Sequence, residues 1–499
     1  MMRIMAGWAG LGLLACVACG GEEDEAVTPT MGRAPLDEGP SEQSSALPIA
    51  MAGEATPLEP GASSTIVWRP CGELECAEVL VPLDPSDPAG EQLPIALNRR
   101  APAPGTPNLG VLLFNPGGPG ASGKAYVANT PAFGELPFDV IGFDPRGVGD
   151  SRALDCTLPD SVALFEAEGV GAVVAAHRAA GERCREATGP LFDHLSTNAV
   201  VADIEQIRIA LGVEKINFYG VSYGTRIGAA YAQRHPERVR ALVLDAPMPP
   251  TADLPELVDV QFDALLSSHQ ALIAGCEQGQ LPCPVEAAEL FEKVVGAFEQ
   301  VGLRDGFLGL WAAQLITPPG RDMLTTILTQ AALSTQDEIA QALAAGPMMP
   351  MMSAPMLGVP DIVASTNVTV HCSDSSVDPP SESEAEAMMA SFEARSARFA
   401  RFGLPALSCM GWPAARDPLP PITSSLSTPT LILAGVADRL TPLPLAQELH
   451  AAVPASGLLV SEHYGHGALI FGGECVETVF GHYLGSLELP LEGTVCPAP

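Results

Sequence analysis

Short apolar runs recur along the first half of the chain: "AEVLVPLD", "LPIALN", "GVLLFN", "FDVIGFD", "INFYGVS" and "RALVLDAP". Each is too short for a helix, is rich in Val, Ile, Leu and Phe, and ends in Gly, Pro, Asn or Asp, so each predicts a buried strand. Between several of them apolar residues return at threes and fours, as in "NAVVADIEQIRIALG" and "TRIGAAYAQRHPERV", which predicts amphipathic helices. Strand and helix alternate, and that order predicts an α/β fold with a mostly parallel central sheet covered on both faces. After "LDAPMPP" the alternation stops for roughly 175 residues. Helical patterns such as "LVDVQFDALLSSHQALIAG" and "EAEAMMASFEARSARFARF" take its place, joined by Pro-rich connections. The strands resume at "TPTLILAGVAD" and "SGLLVSEHYGHG". One sheet domain interrupted by a helical lid accounts for this order, with the lid over the carboxyl ends of the strands, where open α/β sheets bind ligands.

The amino-terminal residues follow another pattern. A weakly basic start, an apolar segment from Ile4 to Ala18 and an abrupt acidic turn resemble an export signal, and the apolar segment is too short to span a bilayer comfortably. Its end carries "LLAC" and "VACGG", which resemble a bacterial lipobox, with Cys19 or Cys16 as the lipidated residue; free secretion is the alternative. Residues 20–64, rich in Gly, Glu, Pro, Ser and Ala, read as a disordered tether. The chain therefore divides into a lipoprotein-type signal peptide (1–19), the tether (20–64), a core (65–249), a helical lid (250–426) and the rest of the core (427–499).

Composition narrows the partners. Of 499 residues, 59 are acidic and 25 basic, a net charge of −34, so the surface repels nucleic acid and anionic lipid and suits amine-bearing ligands better. Beyond the signal lie ten cysteines whose spacing suggests neighbour pairing: Cys71 with Cys76, Cys156 with Cys184, Cys276 with Cys283, Cys372 with Cys409, and Cys475 with Cys496. No clustered Cys/His spacing suggests a metal, and no cofactor is expected.

Two glycine-rich stretches carry the chemistry. "YGVSYGTR" places Ser222 between Gly220 and Gly224, after a strand and before a helix, the context of a nucleophile elbow. A serine hydroxyl needs an imidazole to accept its proton. His466 in "HYGHGAL" is the first choice and His463 its competitor. The imidazole needs a carboxylate to fix its tautomer: Asp438 in "GVADRLTP" is the expected residue and Asp245 in "LVLDAP" the fallback. "FNPGGPGASGKAY" spaces Gly118, Gly123 and Lys124 like a phosphate loop, but Ala125 stands where Ser or Thr would hold magnesium. It reads instead as an oxyanion loop, with the N–H of Gly118, or of Gly117, joining that of Tyr223. Lys124 is then a surface or helix-start residue.

"NPGGPGASG", "FDVIGFDPRGVGDS", "INFYGVSYGTRIGAAYA", "VLDAP", "GVADRLTP" and "YGHG" together resemble the tripeptidyl aminopeptidase branch of the proline iminopeptidase-like α/β-hydrolases. "VWRPC", "VLVPLDPSDP" and "RRAPAP" extend the likeness from about Ile66 to Cys496. The resemblance implies an α/β-hydrolase fold with a helical cap, and an exported serine exopeptidase acting on peptides with free amino termini through Ser222, Asp438 and His466. It also implies an acid that anchors the substrate's ammonium group, a role for which Asp374 in "VHCSDSS" is the candidate. Asp144 and Arg146 are read as an ion pair and turn near the site, and Thr441 as a brace for the Asp438 loop. The Met-rich "GPMMPMMSAPMLG" suits an adaptable substrate pocket or lid core. Two rival readings remain: a carboxylesterase or lactone hydrolase with the same triad, and a catalytically silent surface lipoprotein.

Overall fold

The computed structural model describes residues 65–154, 156, 169–251, 253–345 and 361–499. The signal peptide, Cys16, Cys19, the tether and the Met-rich stretch lie outside the described residues.

Ten strands form one sheet: β1 (Arg69–Cys71), β2 (Leu74–Pro82), β3 (Gln92–Arg100), β4 (Val111–Asn115), β5 (Asp139–Phe143), β6 (Ile216–Val221), β7 (Val239–Asp245), β8 (Thr430–Ala437), β9 (Ser456–Tyr464) and β10 (Val495–Cys496). Their spatial order is β1-β2-β3-β5-β4-β6-β7-β8-β9-β10. The pairs from β1 to β5 through β2 and β3 are antiparallel, and every pair from β5 to β10 is parallel. The sheet is therefore mostly parallel, as the alternating pattern predicts.

Continuous apolar runs, rather than alternating ones, follow from burial of both faces. Leu113, Phe218, Leu242, Leu244 and Ile432 enter one core, while Leu112, Phe114, Tyr219, Val243 and Leu433 enter the other. Each such side chain contributes about 2 kcal/mol on leaving water, so every central strand is stabilised twice over. The described helices between β7 and β8, from Leu254–Glu277 to Glu382–Arg395, add no strand to the sheet. This insertion touches the loops at the strands' carboxyl ends: the Asn367 amide donates to Gly118 O after β4 (2.9 Å), and the Tyr464 hydroxyl at the end of β9 donates to Leu315 O (2.7 Å). Among the described residues no helix is long and apolar enough to cross a membrane.

All five cysteine pairs read from spacing are bonded, with Cα–Cα separations of 5.0–5.7 Å. The Asp144–Arg146 expectation needs correction. Arg146 pairs instead with Asp203, at 2.8 Å from Nε and 2.7 Å from Nη2, and its Nη atoms also donate to the carbonyls of Pro82, Leu83 and His194. A fully buried guanidinium needs acceptors on every side, and the helix Thr197–Leu211 supplies the facing carboxylate. Asp144 accepts instead from the Ser122 hydroxyl (2.5 Å), Lys124 N (3.2 Å) and Asp150 N (3.0 Å). Lys124 lies in the first turn of the helix Gly123–Asn129, paired with Asp150.

Candidate active site

Ser222 stands between the end of β6 and the helix Tyr223–Arg234, with φ 56° and ψ −127°, a conformation that residues with a Cβ rarely adopt. The flanking glycines make the bend possible. A Cβ on Gly220 would lie 2.3 Å from Gly224 O, and one on Gly224 would lie 2.3 Å from Asn115 O, so the elbow closes only without side chains there. The helix thus starts against the end of β4, beside the glycine-rich loop.

That loop reaches the elbow. Gly117, at φ 98°, comes so near that a Cβ would sit 2.5 Å from Val221 O and 2.9 Å from Tyr223 N. Its own N–H donates to Asn115 Oδ1 (2.9 Å), which withdraws Gly117 as an oxyanion donor. Among the described residues neither Gly118 N–H nor Tyr223 N–H has an acceptor. Two amides are thus left open beside the serine. Asn115 and Asn367, which orient this loop, escaped the sequence reading. Asn115 directly precedes the glycines and carried a local signal; Asn367 is 249 residues away from Gly118 and carried none.

The third part comes from the carboxyl-terminal strands. Asp438 accepts from His466 Nδ1 at 2.8 Å to Oδ2 and 3.0 Å to Oδ1. Leu440 N (2.9 Å) and Thr441 N (3.0 Å) donate to its Oδ1, and the Thr441 hydroxyl donates to Oδ2 (3.0 Å). Thr441 therefore braces the carboxylate itself. Asp245, the fallback acid, has another task. Its carbonyl receives the Ser222 N–H (2.9 Å), while its carboxylate receives Ala468 N (2.6 Å), Leu469 N (3.0 Å) and the Tyr219 hydroxyl (3.1 Å). One residue thus ties the elbow to the turn that carries His466. Among the described residues no hydrogen bond joins Ser222 Oγ to His466. His463, the rival base, is buried against Gly435 and stacks on Phe471 with centroids 6.4 Å apart.

Asp374 lies elsewhere than expected. It is fully buried, and its oxygens accept from Thr197 N (2.8 Å) and the Thr197 hydroxyl (2.5 Å) at the start of a helix. Burial pushes its carboxyl up to about 6. A carboxylate spent on a helix amino terminus and shielded from solvent does not face an incoming ammonium group.

Residues 110–281 match the family model for the alpha/beta hydrolase fold, and residues 397–496 match the model described as TAP-like protein. The chain belongs to the α/β hydrolases. The serine protease Hip1 of Mycobacterium tuberculosis is 35% identical over 274 residues, 49% of this α/β hydrolase and 52% of the relative. The tripeptidyl aminopeptidase of Streptomyces lividans is 35% identical over 224 residues, 40% of this chain and 42% of the relative. Carboxylesterase B of Mycobacterium tuberculosis is 30% identical over 255 residues, 46% and 48% of the two chains. The α/β hydrolase spans about half the length of the curated relatives it matches.

The electrostatics of the hydrolase site follow from its packing. Burial pushes the Asp438 carboxyl up, but the charge and hydrogen bond of His466, with the Thr441 and Leu440 amides, outweigh it and hold the group below the usual carboxylate range. Burial likewise pulls the His466 imidazole down, yet the charge and hydrogen bond of Asp438, with Asp245 behind, hold it above its ordinary value. A base must be neutral to accept a proton, so a raised value moves the acid limb of the rate profile upward. The expected result is a kcat/KM that falls on acidification through a midpoint above 6.5. A pH–rate series with a neutral ester checks it, and a flat profile down to about pH 4 speaks against a histidine base.

Proposed function

We propose that this chain is an exported, lipid-anchored serine peptidase that releases tripeptides or single residues from free amino termini. Ser222 Oγ attacks the scissile carbonyl and His466 Nε2 takes its proton. The negative charge on the tetrahedral oxygen is received by Gly118 N–H and Tyr223 N–H, each contributing about 3 kcal/mol in such sites. His466 then protonates the leaving amine, and water, activated by the same imidazole, hydrolyses the acyl-enzyme. Asp438 holds the proton on Nδ1, so that Nε2 presents a lone pair.

The observation that carries this reading is the 2.8 Å contact between His466 Nδ1 and Asp438, on a turn tied by Asp245 to the Ser222 elbow. The open serine–imidazole contact agrees with a site whose hydrogen bonds tighten only around substrate. The names of Hip1 and the tripeptidyl aminopeptidases support peptide chemistry, and the five disulfides support an oxidising, extracytoplasmic location. Turnover of Ala-Ala-Ala-p-nitroanilide against its N-acetylated form is the test. The free amine is expected to be cleaved and the blocked form spared; equal rates remove the exopeptidase assignment.

A second reading is favoured by the burial of Asp374, because without an acid facing the cleft nothing yet named selects a free ammonium group. It is a carboxylesterase or lactone hydrolase with the same triad, in line with the carboxylesterase B relative. Good turnover of p-nitrophenyl butyrate with no peptide cleaved decides for it.

A further inference from the structure

In a chain with 59 acidic and 25 basic residues, a guanidinium without a carboxylate partner is unexpected. Beside the Asp438–His466 pair there are two. Arg439 directly follows Asp438, and Arg321 comes from the first turn of the insertion's helix Pro318–Ala332. Among the described residues neither side chain makes a hydrogen bond or an ion pair, although the Nε of each is buried. Asp438 is already engaged by four donors and offers Arg439 no direct acceptor.

The two arginines converge on Tyr464, at the end of the strand that leads to His466. The Arg321 guanidinium carbon lies 4.5 Å from the centre of the Tyr464 ring, and both positive charges act on the Tyr464 phenol. Arg439 also acts on the charge of His466. Arg321 and Tyr464 line a cavity of about 380 Å³ with Ser267, Ser268 and Glu462, and Glu462 is ion-paired to neither arginine. Half-buried guanidiniums with their Nε atoms enclosed hold their remaining N–H groups in fixed directions, which suits recognition of a planar two-oxygen anion. Burial pulls the Arg439 guanidinium down to about 10, against Tyr464 and Asp438, so an anion arriving there relieves a desolvated charge.

We propose that Arg321 and Arg439 form a carboxylate subsite next to the His466 base, selecting substrates that carry a carboxylate near the scissile bond. The inference rests on the triad reading of the site, not on exopeptidase action. The carboxylate is either the carboxyl terminus of a short peptide or an acidic side chain. Because the chain as a whole repels anions, the subsite discriminates after encounter instead of speeding it. Arg321 belongs to the insertion and Arg439 to the sheet, so a bound carboxylate also bridges the two.

Calorimetry on the Ser222→Ala protein separates the two sources without requiring turnover. Trialanine is compared with trialanine amide, and Ala-Ala-Glu amide with Ala-Ala-Gln amide. The acidic member of at least one pair is expected to bind about tenfold or more tightly, as a charge-assisted hydrogen bond predicts. Arg321→Gln and Arg439→Gln should each bring the acid towards its neutral partner, while the neutral peptide's affinity stays within about twofold, which also reports intact folding. Equal affinities in both pairs, no binding of any of the four peptides, or a preference that survives the double Gln substitution overturns the subsite. Failure of the triad reading shows separately, as absence of fluorophosphonate labelling at Ser222 in the unsubstituted protein.

Discussion

Ser222→Ala is expected to lower kcat/KM by about 10⁴-fold or more and to abolish fluorophosphonate labelling, while thermal unfolding hardly moves. The loss is large because nucleophile and base act as a unit: with no hydroxyl at the elbow, the imidazole has nothing to deprotonate and only binding and the oxyanion amides remain. The stability side comes from this structure. A serine before a helix commonly caps it, but the Ser222 side chain makes no cap bond to the helix Tyr223–Arg234. Ala inherits the same φ of 56°. The expected cost is therefore about 0.5 kcal/mol or less, the range of substitutions that break no packing, cap or network. A melting curve beside the kinetics distinguishes lost chemistry from lost fold, and near-normal activity in Ser222→Ala would refute the assignment.

Asp438→Asn should cost about 10⁴-fold in kcat with little change in KM. Leu440 N and Thr441 N both donate to Oδ1 and require an oxygen there. The amide nitrogen of Asn then takes the Oδ2 position, 2.8 Å from His466 Nδ1. It can only donate, so Nδ1 must accept and the proton moves to Nε2, the atom that should receive the serine proton. Removing the carboxylate also removes the main influence raising the imidazole's proton affinity, so the acid limb of the residual activity should move to lower pH. An unchanged acid limb, or a fall of less than about tenfold, would mean that another acid orients the imidazole. Asp245→Asn is the control, because Asp245 receives Ala468 N and Leu469 N and does not contact the imidazole through a hydrogen bond.

Much of the site was legible because its geometry is local. Gly220, Ser222 and Gly224 encode a bend whose backbone contacts of 2.3 Å leave no room for a Cβ, so spacing alone announces it. Asp438 and Thr441 are three residues apart and close one turn. The cysteine pairs were readable because sequence neighbours are also spatial neighbours, none of them separated by more than 37 positions. Asp374 was misread for the opposite reason: its partner Thr197 is 177 residues away, so nothing near it in sequence tells a cleft-facing acid from one buried under a helix. Arg146 was assigned to Asp144 on proximity in sequence, whereas the helix carrying Asp203 brings a better-aligned carboxylate into the same buried space.

Apolar runs of strand length, alternating with helical periods, determined that the chain forms a parallel sheet covered on both faces, and glycine spacing determined where it turns sharply enough to expose a serine. Local chain geometry and burial of apolar surface suffice for both, and neither depends on distant residues. Only the tertiary structure decided which histidine meets which acid, that Asp245 joins the elbow to the histidine turn, that Asn367 holds the oxyanion loop, and that Arg321 and Arg439 meet at Tyr464. Those contacts join segments 28 to 249 residues apart, and the sheet order and the docking of the insertion set them, which no local pattern encodes.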